Sequence, residues 1–222
     1  MIVRTVAYGR ALEIQREAAA LLRDGCGGEA LLLLAHPPTV TLGRKGSEGS
    51  LLVPPARLGE RGIVFLRVER GGDATYHGPG QLVGYPVFDL EARRLGPRRH
   101  VALLEQVLSA ALKRFGIEPV LVDGVRGVFV AGCGGKEPAL GKIAAIGIAV
   151  SRGISTHGFA LNVRVDPAGF DLIIPCGLRG YGVTSMHLLL DPAPCVEEVA
   201  DVLDAGMREA YGNSFETRNR FP

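Results

Sequence analysis

Three stretches of the chain repeat apolar side chains at helical spacing. Two of these stretches end at a glycine of the kind that stops a helix, Gly25 and Gly116. The apolar positions are Leu12, Ala18, Ala19 and Leu22; Val101, Leu104, Leu108, Ala111, Leu112 and Phe115; and Val196, Val199, Leu203, Met207 and Ala210. The pattern predicts three helices, near the start, the middle and the end of the chain.

Shorter aliphatic and β-branched runs, separated by glycine and proline, predict strands between these helices. They cover residues 31–34, 39–42, 63–68, 81–90, 120–122, 127–130, 143–150 and 159–163. Pro86 lies within one of them and indicates an edge strand, a bulge or a bend. Because strands occur in groups between the helices, we expect an α+β fold with a mixed, largely antiparallel sheet flanked by helices.

Composition and length narrow the class of protein. The chain has 222 residues, 47% of them hydrophobic, with a mean hydropathy of +0.21, so we expect one domain over residues 1–222 with a single sizeable core. Charged residues make up 22% and the net charge is +2, which argues against a nucleic-acid partner. No apolar stretch is long enough to span a bilayer and no signal segment is recognisable, so we expect no membrane partner and a cytoplasmic location.

Candidate chemistry begins with the segment 70–86, RGGDATYHGPGQLVGYP. It places glycines, a histidine, a tyrosine and an arginine between two predicted strands. Glycine allows main-chain atoms to approach a ligand closely, so the segment is typical of a binding wall. The alternative is a long ordered turn without chemical function. The segment is neither a P-loop nor a dinucleotide-binding loop, and we expect no cofactor.

Cys176 lies between Pro175 and Gly177 at the end of an apolar run, where small neighbours leave the thiol open to an incoming carbonyl. Cys26 and Cys133 lie in glycine-rich turns and Cys195 at the start of the last helix, and none forms a CxxC pair. A nucleophilic thiol needs a nearby cation or base, and Lys142 at the opening of the apolar run 143–150 is a candidate. The alternatives are an inert buried cysteine and a solvated lysine.

Two further groups of residues carry possible roles. His77 and His157 each precede a glycine, and either can act as a general base or hydrogen-bond a loop. Arg93, Arg94, Arg98, Arg99 and His100 form a basic cluster before the second long helix, which is either a solvated face or a docking site for an acidic partner. No histidines or carboxylates have metal-ligand spacing, so we expect no metal.

Taken together, these segments resemble the lipoyl(octanoyl) transferase family. The resemblance extends over residues 31–186 and rests on five blocks in register: HPP at 36–38 with TLGR at 41–44, RGG at 70–72 with TYHGPGQ at 75–81, KIAAIG at 142–147, HGFALN at 157–162 and PCG at 175–177. Phe129 stands where relatives often have tryptophan, and the loop 132–141 is unusually rich in glycine and contains Cys133 and Lys136. Neither departure lies within the blocks.

The resemblance implies a fold related to biotin and lipoate protein ligases. It also implies a Cys/Lys pair in which Cys176 carries the acyl group and Lys142 lowers its pKa and shuttles protons. The substrate-binding residues implied are Arg70, Gly71, Gly72, Asp73, Ala74, Thr75, Tyr76, His77, Ala145, Ile146, Gly147, Gly158, Phe159 and Ala160.

The implied reaction is transfer of an octanoyl group from octanoyl-acyl carrier protein to a lysine of a lipoyl domain, the first step of endogenous protein lipoylation. The acceptors would be the lipoyl domains of 2-oxoacid dehydrogenase complexes and the glycine cleavage H protein. One alternative is an ATP-dependent lipoate or biotin ligase, which needs no nucleophilic cysteine. The other is a non-catalytic module that binds a carrier protein.

Overall fold

The predicted helices form close to their expected positions. The computed structural model describes residues 1–132, 140–174 and 181–219. The helices are α1 (Tyr8–Arg23), α2 (Pro55–Glu60), α3 (Pro97–Arg114) and α4 (Val196–Tyr211). Only α2 was not expected, because six residues are too few to reveal a helical period.

Strands of the described residues form two sheets. In chain order they are β1 (Ala30–Leu34), β2 (Thr39–Leu42), β3 (Val64–Arg67), β4 (Ala74–His77), β5 (Gln81–Val87), β6 (Val120–Val122), β7 (Val125–Ala131), β8 (Leu140–Ser151), β9 (Ile154–Asn162), β10 (Gly182–Val183) and β11 (Glu216–Arg218). The larger sheet has the order β11-β1-β5-β9-β8-β7-β6, with β10 also paired to β8. Its β1–β11 and β8–β10 pairs are parallel and its other pairs are antiparallel, which confirms the predicted mixed sheet.

The two faces of the larger sheet pack against different helices, because alternate residues of a strand point to opposite faces. Leu31 and Leu33 of β1 join the main core with α3 and α4. Leu32 and Leu34 of the same strand join Ala11 and Ile14 of α1 on the other face. The smaller sheet, of order β3-β2-β4, has a core of its own that includes Val40, Ala74 and Tyr76.

Two expectations need correction. Strand β5 lies inside the larger sheet, between β1 and β9, so the edge position suggested by Pro86 is wrong. Its pairing with β9 instead stops at Gly84↔Phe159 and returns at the bridge Asp89↔Ile154, which places Pro86 in the interruption, where its missing N–H breaks no ladder bond. The glycine-rich segment 71–80 is also not only a loop, because it contains strand β4.

Candidate active site

A pocket lies on the α1 side of the larger sheet and gathers most of the predicted substrate-binding residues. We name it the central pocket. It is lined by Tyr8, Arg70, Gly71, Gly72, Thr75, His77, Tyr85, Ala145, Ile146, Gly147, His157, Gly158, Phe159 and Ala160. Residues far apart in the sequence therefore share one concave surface, as a ligand site requires.

Small side chains explain why the sheet is hollow at this point. Ala145 pairs with Ala160, and Gly147 pairs with Gly158, so these four positions share the face that α1 covers. The segment around Gly71 crosses above them, and the Gly71 N–H donates to Ile148 O at 2.8 Å. A Cβ on Gly147 would lie 2.8 Å from Gly71 O, so only glycine allows this close approach.

The remaining predicted residues, Asp73, Ala74 and Tyr76, do not line the central pocket. Alternation along β4 turns Thr75 and His77 towards the pocket and sends Ala74 and Tyr76 into the core of the smaller sheet. Asp73 Oδ1 instead accepts the Ala74 N–H at 2.7 Å, and Asp73 lines a neighbouring groove. The segment from Arg70 to His77 is therefore not a continuous wall of the central pocket.

Arg70 is held rigidly at the pocket, with only 7% of the residue exposed. Its guanidinium donates to Thr41 Oγ1 at 2.9 Å, to Thr41 O at 3.0 Å and to Gly71 O at 3.1 Å. These partners are neutral, so the positive charge of Arg70 remains available to the pocket. Thr41 belongs to the TLGR block, which explains why that block and the RGG block occur together.

His77 presents an unprotonated ring nitrogen to the pocket. The Asn162 amide donates to Thr184 O at 2.9 Å, and its oxygen accepts from Gln81 Nε2, also at 2.9 Å. Gln81 Oε1 therefore faces His77 Nδ1 at 2.8 Å and accepts its proton. His77 Nε2 is left as an acceptor, buried and without a hydrogen-bond partner among the described residues. Burial is the main cause that holds the pKa of His77 well below 6.5.

A group of buried rings behind the pocket was missed by sequence reasoning, apart from the two histidines already considered. His36 Nδ1 donates to Val6 O at 2.6 Å, so its Nε2 accepts from Tyr85 Oη at 2.7 Å. Tyr8 Oη lies 3.5 Å from His157 Nδ1. Burial lowers the pKa of both His36 and His157 to about 4, so these rings are neutral near pH 7. No motif marks Tyr8, whereas Tyr85 follows the glycine-rich block directly.

Lys142 lies in an adjoining cavity, which we name the lysine cavity; it shares Thr75 and Ala145 with the central pocket. Lys142 is 7% exposed, so the expectation of a partly desolvated lysine at the mouth of a strand is met in its geometry. Its Nζ donates to Arg126 O at 3.2 Å and lies 5.1 Å from the centroid of the Phe129 ring. Phe129, which replaces the tryptophan that relatives often have, therefore contacts the candidate site, although it lies outside the five blocks.

An open groove of about 380 Å³ leads from the surface to Lys142. We name it the entry groove. It is lined by Lys45, Gly71, Gly72, Asp73, Val101, Gly124, Val125, Arg126, Lys142, Ile146, Gly147 and Ile148. The entry groove and the central pocket share Gly71, Gly72, Ile146 and Gly147, so a substrate can reach both from one side.

Cys176 lies outside the described residues, as do Cys133 and Lys136. The described residues on either side of its segment have defined contacts, and those on the C-terminal side lie beside Lys142. The Ile174 N–H donates to Ser50 O at 2.8 Å, the Tyr181 ring lies 5.1 Å from the Phe129 ring, and Val183 pairs with Lys142. Cys26 and Cys195 are exposed free cysteines, and neither lines the central pocket.

The basic cluster is divided between surface and interior. Helix α3 begins at Pro97, so Arg98, Arg99 and His100 belong to the helix itself and do not precede it. His100 is buried with its Nδ1 2.9 Å from Tyr211 Oη, and Arg93 pairs with Glu29. Only Arg94, Arg98 and Arg99 are exposed, which reduces the docking hypothesis to these residues.

No group of three or more His, Cys, Asp or Glu side chains in residues 1–132, 140–174 and 181–219 is arranged to hold a metal ion. None of the helices in the same ranges is both long and apolar enough to cross a membrane.

The family comparison agrees with this geometry. Residues 7–208 match the lipoyl protein ligase A/B catalytic domain, so the chain belongs to that family, and the resemblance seen in the sequence is confirmed. The curated relatives it resembles strongly are octanoyltransferases. That of Chloroflexus aggregans is 44% identical over 203 residues, covering 91% of this chain and 89% of the relative. That of Caldicellulosiruptor bescii is 42% identical over 211 residues, covering 94% and 89%.

Solved structures support the fold. A bipartite lipoate protein ligase of Thermoplasma acidophilum superposes with a TM-score of 0.71 at 17% identity, covering 99% of this chain and 84% of the other. A lipoate-protein ligase A bound with ATP gives a TM-score of 0.65 at 18% identity, covering 99% and 89%. The expected relation to lipoate protein ligases is therefore confirmed for the fold.

Proposed function

We propose that this protein transfers an octanoyl group from octanoyl-acyl carrier protein to a lysine ε-amine of a lipoyl domain through a thioester on Cys176. Relatives at 42–44% identity along most of the chain are octanoyltransferases, which supports the transfer itself. The observation that carries the mechanism is the continuity of the lysine cavity with the central pocket through Thr75 and Ala145. A reactive centre and an acyl-binding site thereby adjoin.

The length of the central pocket along β8 suits an eight-carbon chain. Ala145 marks its boundary with the lysine cavity, and Ile148 pairs with His157 at the far end. The three residue steps from Ala145 to Ile148 along β8 span roughly 10 Å. An extended octanoyl chain advances about 9 Å from carbonyl carbon to methyl, given C–C bonds near 1.5 Å. An octanoyl group lying along β8 therefore matches the pocket in length.

In the first half-reaction, the Cys176 thiol gives its proton to Lys142 and attacks the carbonyl carbon of the donor thioester. The bond from that carbon to the carrier sulfur breaks as the new C–S bond forms. The leaving carrier thiolate takes the proton from the Lys142 ammonium. The products are the acyl-enzyme, the free carrier thiol and a neutral Lys142.

In the second half-reaction, the acceptor amine attacks the thioester carbon and the bond to Cys176 breaks. Neutral Lys142 takes the proton from the attacking nitrogen, which restores the thiolate beside an ammonium group. His77 and His157 are poorer candidates for this base, because burial holds the pKa of His77 well below 6.5 and that of His157 at about 4. We propose the lipoyl domains of 2-oxoacid dehydrogenase complexes and the glycine cleavage H protein as acceptors.

Mass spectrometry of the enzyme after incubation with octanoyl carrier protein tests the proposal. The peptide with Cys176 is expected to gain one octanoyl group that hydroxylamine removes. Cys176→Ala should abolish both adduct and transfer, whereas the exposed Cys26→Ala and Cys195→Ala variants should keep them. An adduct confined to another cysteine overturns the assignment. Transfer to a lipoyl domain in this assay also excludes a non-catalytic binding module.

An ATP-dependent lipoate ligase is the second candidate, because ligases share the fold at TM-scores of 0.65 and 0.71. Such an enzyme activates a free acid as an acyl-adenylate. The proposed enzyme should transfer octanoyl from the carrier at the same rate with and without ATP and magnesium. Turnover that requires ATP, or that uses free octanoate in its presence, selects the ligase.

A further inference from the structure

His157 separates the central pocket from a second depression on the outside of the molecule. That depression, the outer groove, has a volume of about 470 Å³ between α1 and the start of β9. Its lining is mixed apolar and charged: Leu12, Gln15, Arg16, Ala19, Arg23, Arg67, Val68, Glu69, Ser151, Thr156 and His157. Within the described residues, His157 is the one residue common to the linings of both. The lysine cavity adjoins the opposite end of the central pocket through Thr75 and Ala145.

The backbone turns His157 into this position. It pairs with Ile148, and simple alternation would send its side chain to the face away from Gly147 and Gly158. His157 instead has a φ of 57°, in the left-handed region that side-chain-bearing residues rarely adopt. Its ring reaches the α1 side, where it lies against Tyr8 and 6.3 Å from the Tyr85 ring centroid. An unusual backbone conformation thus serves to place this ring.

One neighbour stabilises the strained backbone of His157, and a second one permits it. The His157 N–H donates to Gln15 Oε1 at 2.7 Å, and Gln15 is 1% exposed. By register, Pro86 of β5 is opposite His157 and offers no N–H to the ladder, so the strand is free to distort there. Strain of this kind persists only where the surroundings enforce it, and it marks functional positions.

We propose that His157 closes the far end of the acyl site and sets the longest chain that the enzyme accepts. This inference rests on the proposed octanoyl transfer, in which the carbonyl lies at the Lys142 end. The ring is neutral near pH 7, since burial lowers its pKa to about 4, and a neutral ring suits contact with a terminal methyl. Removal of the ring joins the central pocket to the outer groove, where additional methylenes find apolar contact with Leu12 and Ala19.

The test compares octanoyl, decanoyl, dodecanoyl and tetradecanoyl carrier proteins as donors, with kcat/KM measured for each. Each additional buried methylene favours binding by about fourfold. His157→Gly, which tolerates the left-handed backbone, is expected to raise the ratio of dodecanoyl to octanoyl kcat/KM at least about tenfold. His157→Asn, a smaller residue that also tolerates this backbone, should shift the ratio in the same direction and serves if the glycine variant does not fold.

Two further variants distinguish the opening of the pocket at His157 from a general loss of packing in the protein. Ala19→Phe should leave the wild-type profile unchanged, but combined with His157→Gly it should fill the outer groove and restore octanoyl selectivity. His100→Asn removes another buried, tyrosine-bonded histidine outside the pocket and should not alter the ratio.

The outcomes distinguish this inference from the proposed function. A wild-type enzyme that fails to transfer octanoyl at all refutes the proposed function. A wild-type enzyme that transfers octanoyl, with folded His157→Gly and His157→Asn variants that keep its chain-length ratio, overturns the role of His157 alone. A shift that Ala19→Phe does not reverse also overturns it.

Discussion

In the proposed mechanism, Lys142 must give a proton to the leaving thiolate in the first half-reaction and take one from the attacking amine in the second. Its Nζ donates to Arg126 O and lies beside the Phe129 ring, and these contacts position the side chain. The adjoining central pocket offers no second lysine among the described residues. In the proposed mechanism, one side chain therefore handles the proton in both steps.

Lys142→Arg separates these tasks, because arginine supplies a cation but does not deprotonate. We expect this variant to form part of the normal amount of acyl-enzyme and to lose transfer to the lipoyl lysine by at least about a hundredfold. Lys142→Met should lose both half-reactions. Single-turnover rates of each half-reaction provide the measurement. Near-normal second-step rates in the arginine variant would assign the base to another group, with His77 and His157 as the candidates.

The residues predicted from dense sequence blocks lie together in the structure. The RGG, KIAAIG and HGF blocks supplied most of the pocket lining. Tyr8 was missed because it is an isolated aromatic residue at the first position of α1, and its place beside His157 depends on how α1 packs on the sheet. Asp73, Ala74 and Tyr76 were also predicted to bind substrate but do not line the central pocket. Strand β4 was not recognised in the sequence, and alternation along it turns only every second residue to the pocket.

At the scale of single elements, two exposed residues of the basic cluster, Arg98 and Arg99, lie in the first turn of helix α3. Arg98 lies three residues before Val101, so it shares a helix face with a residue of the entry groove. Basic side chains at a helix N-terminus interact unfavourably with the helix dipole. The cluster therefore opposes the local preference of the helix, which is consistent with selection for a partner.

Reversal of this charge should weaken docking without weakening the fold. Arg98→Glu/Arg99→Glu is expected to slow association with the acidic carrier protein and to flatten its salt dependence. The same change should leave the free energy of unfolding equal or higher by up to about 1 kcal/mol per residue, because acidic groups suit a helix N-terminus. Stopped-flow association over a salt series and urea unfolding measure the two effects.

The matched control for this reversal is Lys113→Glu/Arg114→Glu, which changes the charge equally at the other end of the same helix. We expect it to leave the salt dependence of association unchanged. An equal effect of the two double variants would assign the response to net charge alone.

Strand β7 supports Lys142 through a glycine that no other residue replaces well. Gly127 has a φ of 112°, and a Cβ there would lie 2.4 Å from Ala144 O. Gly127→Ala should lower the free energy of unfolding by about 2–4 kcal/mol, from backbone strain and overpacking together. It should also lower activity, because the preceding Arg126 O accepts from Lys142.

Gly59→Ala in α2 is the control, since nothing lies within 4 Å of its added Cβ. In a helix this substitution should stabilise by about 0.5–1 kcal/mol. Urea denaturation and steady-state transfer assays measure both variants, and an unaffected Gly127→Ala enzyme would contradict the prediction.

Elements with a clear period were predictable, and elements without one were not. Helices α1, α3 and α4 have amphipathic stripes, and most strands have aliphatic runs. The strands β10 and β11 have two and three residues, which is too short for any pattern to emerge. Pro86 predicted an edge strand, a bulge or a bend, and the edge was wrong. The sequence of one strand shows which N–H is missing but not which neighbouring strand would have accepted it.

Buried histidines link the stability of the whole molecule to pH. Burial lowers the pKa of His36, His100 and His157 to about 4 and that of His77 well below 6.5. Between pH 6.5 and about 4 the unfolded chain therefore binds more protons than the folded chain. The free energy of unfolding should be highest above pH 6.5 and fall as the pH decreases, by up to about 1.4 kcal/mol per pH unit for each histidine.

Urea denaturation between pH 7 and pH 4.5 measures this slope. His100→Asn, which removes one buried histidine outside the central pocket, should make the slope shallower by up to the contribution of one group. A variant with the wild-type slope would show that His100 does not remain neutral on folding.

At the scale of the whole molecule, the grouping of strands in the sequence predicted the fold class but not the order of strands in the sheet. The neighbours β5 and β9 are separated by α3 and three strands in the chain, so their pairing depends on long-range packing that local patterns do not encode. The same long-range pairing brings Arg70, Lys142 and His157 to one place. Only the family resemblance made their association predictable from the sequence.

The small residues shared by β8 and β9 have a consequence for how such an enzyme can diverge. Residues that face the pocket recur every second position, so a longer site that keeps its lining must grow by two residues, or roughly 6.7 Å. This step corresponds to about five methylenes at about 1.3 Å each. Lengthening the strands therefore changes the length of the site only in large steps. Individual side chains at the end of the pocket must then discriminate between neighbouring chain lengths. Evolution of a new preference is then a matter of point substitution, with no need to rebuild the sheet.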